Sequence, residues 1–324
     1  MKTMGLLISH KNNEKRRALL PEDLRHIKNL GQLYFEKGYG DSLGYEDSDY
    51  EKYGAHMVSR EEALNCDIIT DVKLGDADYL DCLKGSKTLV GWAHAVQNIP
   101  FTDQVLEQNH TVLAWEEIYE DGRYIFYRNR EIAGEAAILH AFRYCGKMPY
   151  DCTVAIIGNG QTTKGAYRIL AGLGAEVDIY PRKHESLFKK NMFLYDVIVN
   201  CVMWDTNRTD RLIYREDLKK FKKGTLIIDV SCDPYLEIET SHPTTIDDPV
   251  YEVDGVIHYA VDNTPAMYPK TVTINLSRAF CHYVDAIVEE NYTESLKNAV
   301  VIDHGNIRYE AIRQFREARG LFCK

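Results

Sequence analysis

Short apolar runs alternate along the chain with stretches whose apolar positions recur at helical spacing. The clearest case is Val154-Ala-Ile-Ile-Gly158. An unbroken apolar run of this length predicts a strand buried on both faces, as in a parallel sheet. The run stops at Gly158, and Ala166, Ile169, Leu170 and Leu173 then fall on one helical face. Alternation over Ala175–Tyr180 predicts a second strand. Runs at Tyr195–Cys201, Gly224–Val230 and Gly255–Val261 predict three more. The N-terminal third repeats the theme. Strands are expected over Thr3–Ser9, Leu33–Glu36, Cys66–Lys73, Lys87–His94 and Thr111–Glu116. Helices are expected over Pro21–Leu30, Asp47–Tyr53 and Ser59–Leu64. Longer helical patterns cover Glu131–Tyr144, Thr271–Glu290 and His304–Ala318. Alternating β and α elements imply mostly parallel sheets covered by helices. The expected fold class is therefore α/β, with two doubly wound, Rossmann-like domains and a cleft between them. The last 50 or so residues are expected to return to the first domain. One domain would then hold residues 1–132 and 272–324, with a second, 133–271, inserted into it.

A length of 324 residues suits two domains, and 45% hydrophobic with 27% charged residues is ordinary for a globular chain. The net charge of −10 argues against nucleic acid or an anionic membrane as partner. No apolar run approaches the roughly 18 residues of a membrane span. The N-terminus lacks the long apolar segment of a signal peptide. Eight scattered cysteines, with no Cys-x-x-Cys pair, read as reduced thiols of a cytoplasmic protein. No spacing of His, Cys and acids suggests a metal site.

The strand–glycine–helix unit carries the first candidate chemistry. Gly158 would make the tight turn, and Gly160 would let the backbone approach a diphosphate. Asn159, Gln161, Thr162 and Thr163 complete a loop opening onto the free N–H groups of a helix start. Thr163 stands where a third small residue is usual, so the fingerprint is imperfect. A dinucleotide is the expected ligand. Roughly 20 residues further on, such folds place an acid on the ribose 2′-hydroxyl; here stand Pro181, Arg182 and Lys183. A carboxylate there would repel a 2′-phosphate and two cations attract one, so NADP(H) is expected over NAD(H). Val202, just past the next strand, is expected to line the same coenzyme.

Three predicted strands of the N-terminal third end in polar residues: Lys73, His94 and Glu116. Ligands bind beyond the carboxyl ends of parallel strands. Histidine titrates near neutrality, and a lysine in such a site can be drawn down toward it. Singly, each residue has an ordinary structural reading; together they suggest acid–base work on a carbonyl or imine. Arg16 and Arg17 lie in a nearby loop. Either could grip a carboxylate in two-pronged fashion, or both could belong to a solvated basic run. Arg128 and Arg130 are candidates for a second carboxylate on charge alone, and Glu116 for an ammonium group. Asp229 and Asp233 flank a strand end, and Asp262-Asn263 ends the last one before Pro265, where a turn is the default reading.

These residues resemble a known family. Lys11-Asn-Asn-Glu-Lys-Arg16-Arg-Ala-Leu-Leu-Pro21 looks like the opening motif of alanine dehydrogenases, transhydrogenase α-chains and lysine-forming saccharopine dehydrogenases. Asp254-Gly-Val-Ile-His-Tyr-Ala-Val-Asp-Asn263-Thr-Pro265-Ala-Met-Tyr-Pro269 is similar to the signature before their long C-terminal helix. Asp229-Val-Ser-Cys-Asp233 and Trp92-Ala-His94 look closer to the saccharopine enzymes. The resemblance implies that Arg16 holds an oxo-acid carboxylate and that Lys73 and His94 serve binding and acid–base roles. It matches Glu116 to a site acid, Asp233 to an aspartate near the nicotinamide, and Asn263 to an asparagine near pyruvate. Alanine dehydrogenases follow their lysine with Glu-Pro, whereas this chain reads Lys73-Leu-Gly-Asp76. The chain is also short, and Pro181 replaces the acid after the second strand. These departures resemble the family's opine-forming, NADP-dependent branch. Those enzymes reductively join pyruvate to the side-chain amine of ornithine or lysine. The rival readings are alanine dehydrogenase, with ammonia as amine, and saccharopine dehydrogenase, with 2-oxoglutarate. A transhydrogenase-like NADPH-binding module is the non-enzymatic rival. The family likeness also implies a homo-oligomer, a dimer or tetramer.

Overall fold

In the computed structural model, residues 1–205 and 208–323 are described. They form two compact units, Met1–Phe126 with Pro269–Lys324, and Tyr127–Tyr268. The first unit opens with β1 (Met4–Leu6), β2 (Leu33–Glu36), β3 (His56–Val58), β4 (Ile68–Thr70), β5 (Thr88–Gly91) and β6 (Thr111–Ala114). All six are parallel, in the order β3-β2-β1-β4-β5-β6. The winding direction reverses between β1 and β4, and ligands favour the carboxyl ends of strands at such a reversal. A small hairpin, β7 (Tyr119–Glu120) with β8 (Arg123–Tyr124), follows. Ile69, Leu89, Val90 and Leu113 have no exposed surface, as apolar strands covered on both faces require.

The inserted unit begins with a helix at Tyr127–Ala141. Its strands are β9 (Thr153–Ile157), β10 (Glu176–Tyr180), β11 (Val197–Asn200), β12 (Leu226–Asp229), β13 (Val250–Val253) and β14 (Val256–Tyr259). Their order is β10-β9-β11-β12-β14-β13, and only β13 is antiparallel. The register pairs Ile157 with both Tyr180 and Asn200, and Asn200 with Asp229. Four strand ends are thus level along one edge of the sheet.

The Tyr127–Ala141 helix crosses the Gln161–Gly172 helix closely. A Cβ on Gly165 would lie 1.8 Å from the Glu131 carbonyl oxygen, and one on Gly134 would lie 2.2 Å from that of Thr162. The close packing often assigned to a third fingerprint glycine falls here to Gly165 and Gly134. Thr163, buried beneath the turn, is compatible with it.

The chain then returns to the first unit through the helix Pro269–Val288. β15 (Val300–Asp303) adds to β6 in antiparallel fashion, and β16 (Asn306–Ile307) adds to β15. This corrects the helix expected over His304–Ala318. Gly305 turns the chain with φ of +71°, and the helix is confined to Glu310–Glu317. Pro21–Leu30 is also shortened, to the single turn Pro21–Leu24. The Asp285 carboxylate takes the amides of Lys28 at 3.0 Å and Asn29 at 2.9 Å, drawing the chain out of the helix.

Candidate active site

Lys73, His94 and Glu116 follow the ends of β4, β5 and β6, and their loops are tied side to side. The Gly75 amide donates to the Trp92 carbonyl at 2.9 Å, and Asn98 Nδ2 to the Gly75 carbonyl at 2.7 Å. Glu116 makes the second tie. Its Oε1 accepts from the His94 amide at 2.6 Å and its Oε2 from the Ala93 amide at 3.2 Å. His94 has φ of +49°, a left-handed backbone that few side-chain-bearing residues adopt. Glu116 holds it there. Each of its oxygens thus receives one backbone N–H group. Burial pushes its carboxyl up to about 7.

Asp71, missed in the sequence, does for Lys73 what Glu116 does for His94. It is buried, and its Oδ1 accepts the Lys73 amide at 2.9 Å. Burial pushes this carboxyl up to about 6. The Lys73 ammonium lies 3.4 Å from Asp76 Oδ2, and Lys11 approaches Asp76 Oδ1 at 3.2 Å. Asp76, three residues after Lys73, is thus a carboxylate beside two lysines.

The structure separates the two adjacent arginines. Arg16 is 1% exposed, and its guanidinium lies 5.0 Å above the Trp92 ring. Glu14 grips it in two-pronged fashion, through Nε at 2.8 Å and Nη2 at 2.5 Å, and also accepts its amide at 2.9 Å. Trp92 is fixed in turn by its Nε1 donating to Tyr124 Oη at 2.9 Å. Arg17 is engaged with backbone instead, donating to the carbonyls of Tyr39 at 2.5 Å and Arg16 at 2.8 Å. It shapes the loop; the solvated-run reading fails for both residues, since both are buried. Glu14 left one faint signal, an acid inside a basic run.

In the second unit, Gly158 follows β9 with φ of +120°, and a Cβ there would meet the Cys201 carbonyl oxygen at 2.8 Å. Asn159 and Gly160 are exposed, Gln161 and Thr162 half-buried. A Cβ on Gly160 would meet nothing within 4 Å beyond its chain neighbours, and no side chain caps the helix that begins at Gln161. Past β10, Arg182 and Lys183 are exposed in a short turn, and among the described residues neither has an ion-pair partner. The nearest acid along the chain, Glu185, is taken by Lys189 and Arg208, each at 2.9 Å. These features suit a dinucleotide: an open glycine step, uncapped helix N–H groups and unpaired cations past the second strand.

Val202 is half-buried past β11, and its carbonyl accepts from Ser231 Oγ at 2.5 Å, tying that loop to the one after β12. Asp233 lies in the latter loop, where burial and the nearby Asp229 push its carboxyl up to about 6. Asn263 has a left-handed backbone, φ +67°, before the turn Thr264–Met267. Arg130 is half-buried on the Tyr127–Ala141 helix. Arg128 on that helix is ion-paired with Glu131 and Glu135, which also bind Arg168.

Residues 7–126 match the family described as alanine dehydrogenase/PNT, N-terminal domain, and residues 180–311 the corresponding C-terminal domain. The N(5)-(carboxyethyl)ornithine synthase of Lactococcus lactis subsp. lactis (strain IL1403) is 33% identical over 291 residues, covering 85% of this chain and 93% of that protein. The chain belongs to the alanine dehydrogenase/PNT family. Another relative, the N(5)-(carboxyethyl)ornithine synthase of Clostridium botulinum (strain Hall), is 32% identical over 87% of this chain and 93% of its own length. Alanine dehydrogenase 1 of Staphylococcus aureus (strain NCTC 8325) is 26% identical over 91% of this chain and 90% of that protein. Among solved structures, an L-alanine dehydrogenase superposes with a TM-score of 0.83 at 21% identity, covering 98% of this chain and 99% of that one. As a member of the alanine dehydrogenase/PNT family, the chain is an oxidoreductase acting on CH–NH bonds and working with a nicotinamide dinucleotide. Among the described residues no helix is long and apolar enough to cross a membrane.

Proposed function

We propose that this enzyme uses NADPH to join pyruvate reductively to the side-chain amine of ornithine or lysine, giving an N-(1-carboxyethyl) amino acid, NADP+ and water. The observation that carries the reading is the identity of about one third with the carboxyethylornithine synthases over nearly their whole length. The unpaired Arg182 and Lys183 support the choice of NADPH, because a 2′-phosphate needs cations that are not already neutralised.

In this reading Arg16, held by Glu14 against the Trp92 ring, binds the pyruvate carboxylate. The neutral amine attacks the keto carbon. Lys73 and His94 move protons as the carbinolamine forms and loses water to the iminium ion. Both are oriented through their backbones, Lys73 by Asp71 and His94 by Glu116. Such anchoring keeps the proton-transferring groups in register with the reacting carbon. The nicotinamide, when bound, supplies the hydride that reduces the imine carbon.

The test is NADPH oxidation with pyruvate plus ornithine, lysine or ammonium in turn. Turnover with ornithine or lysine and none with ammonium is expected. Turnover with ammonium alone would make the protein an alanine dehydrogenase.

A further inference from the structure

Three buried side chains that the proposed reaction does not use meet beneath the loop after β12. Asn200, the last residue of β11, donates through Nδ2 to Asp229 Oδ1 at 2.9 Å and to Glu237 Oε1 at 2.7 Å. Asn200, Asp229 and Glu237 are 0%, 1% and 0% exposed. Asp229 gathers three more donors: Ser241 Oγ at 2.5 Å and the amides of Ser231 and Cys232, each at 3.2 Å. Glu237 Oε2, equally buried, has no partner.

Among the described residues no cation is paired with either carboxyl, and no group of His, Cys, Asp or Glu could hold a metal ion. Arg211, brought close by the fold, is engaged with the carbonyls of Tyr235 and Leu236. On β14, His258 is bonded to Thr240 Oγ1 at 2.8 Å and kept neutral by burial, which lowers it to about 4. On β13, the Tyr251 hydroxyl donates to the Thr240 carbonyl at 2.9 Å. The remaining titratable neighbours are Cys232 and Asp233, which can add only negative charge, and His242, whose ring stacks on Tyr251 at 3.9 Å and is in an ion pair with neither carboxyl. Two buried carboxyl groups converging on one amide nitrogen without a cation cannot both be ionised.

We propose that Asp229 and Glu237 together hold a single proton, carried by Glu237, and that neutral Glu237 is a positioning residue for the Ser231–Asp233 turn on which the coenzyme depends. The link to the coenzyme rests on the function proposed above; the proton does not. Asp229, with four donors, is the group suited to bear the charge. Glu237, with one, is suited to bear the proton. Ionising Glu237 sets a second charge against Asp229, whose oxygen holds the amides of Ser231 and Cys232. That turn is already constrained, since Cys232 has φ of +58°. Burial and Asp229 push the Glu237 carboxyl up to about 8, so the neutral form persists at pH 7 and is lost on the alkaline side.

Glu237→Gln mimics the protonated acid. NADPH binding, followed by nucleotide fluorescence without other substrates, is measured from pH 6 to 9.5 for both proteins, alongside melting temperatures from pH 5 to 9. We expect the wild type to lose about tenfold in NADPH affinity above pH 8 and the variant to stay flat, within about twofold of wild type at pH 7. An acid raised on folding stabilises below its unfolded value and loses that contribution as pH rises to its folded one. The wild-type melting temperature should therefore fall from about pH 5 to 8 more steeply than that of the variant. Parallel pH profiles, or a variant that fails to fold or binds NADPH tenfold more weakly at pH 7, would overturn the proposal. If neither protein binds NADPH at any pH, the positioning role falls with the coenzyme assignment, and the melting curves still decide the proton.

Discussion

Glu116 shows how one side chain can govern another without touching the chemistry. Its two oxygens accept adjacent amides and fix His94 in a left-handed backbone. In Glu116→Gln, one half of the side chain becomes a donor facing an amide donor. Stability should fall by about 1–3 kcal/mol, the usual cost of an unsatisfied buried group. In steady-state assays kcat should drop more than KM, because the defect is in the orientation of His94. The pH dependence follows from the same residue. A carboxyl raised to about 7 on folding contributes stability that is full below its ordinary range near 4.5 and lost as pH rises to 7. Denaturant titrations from pH 4 to 8 should show a shallower slope for the variant. Arg182→Ala tests the coenzyme assignment. Losing one charge-assisted contact should weaken NADPH binding by roughly 10- to 100-fold and leave NADH nearly unchanged. Equal losses for both coenzymes would refute the 2′-phosphate assignment.

Among the elements, the strand–turn–helix unit makes two separable demands on its glycines. Gly165 lies against the Glu131 carbonyl, where a Cβ would come within 1.8 Å, so Gly165→Ala must force the two helices apart. A loss of about 1–3 kcal/mol or more is expected, the range for overpacking, read by thermal or chemical denaturation. At Gly160 a Cβ would meet nothing within 4 Å, and φ is an ordinary negative −95°. Gly160→Ala should fold normally and lose coenzyme affinity, because the new methyl group occupies the approach of the diphosphate. A large drop in stability for Gly160→Ala would show that the open face belongs to packing. Local patterning erred where distant groups competed for the backbone. Asp285 takes amides that a longer helix after Pro21 would have used, and Gly305 opens a hairpin inside an apparent helical repeat.

For the molecule as a whole, residues 127–268 are inserted into the first unit, and the proposed function assigns the coenzyme to the insert and pyruvate to the first unit. Hydrogen exchange with saturating NADPH should protect amides of β9, the glycine turn and the following helix. Linkage sets the ceiling at about 2.7 kcal/mol when ligand is present at 100 times its Kd. Pyruvate should protect instead the loops after β4, β5 and β6. Protection of those loops by NADPH with none at the glycine turn would contradict the assignment of tasks to units.

Both doubly wound sheets were legible in the amino-acid order, because a strand buried on both faces must be written as an apolar run and a tight turn as glycine. The same logic places Lys73, His94 and Glu116 at the ends of predicted strands. Which charges meet was decided only by the folded chain. Glu14 grips Arg16, Glu116 turns to backbone amides, Arg128 is compensated by two acids, and Asn200 gathers Asp229 and Glu237. Apolar burial is a property of a segment and leaves a periodic trace. A hydrogen bond depends on the direction of two side chains or loops brought together from separate places, and residue order leaves no periodic record of that direction.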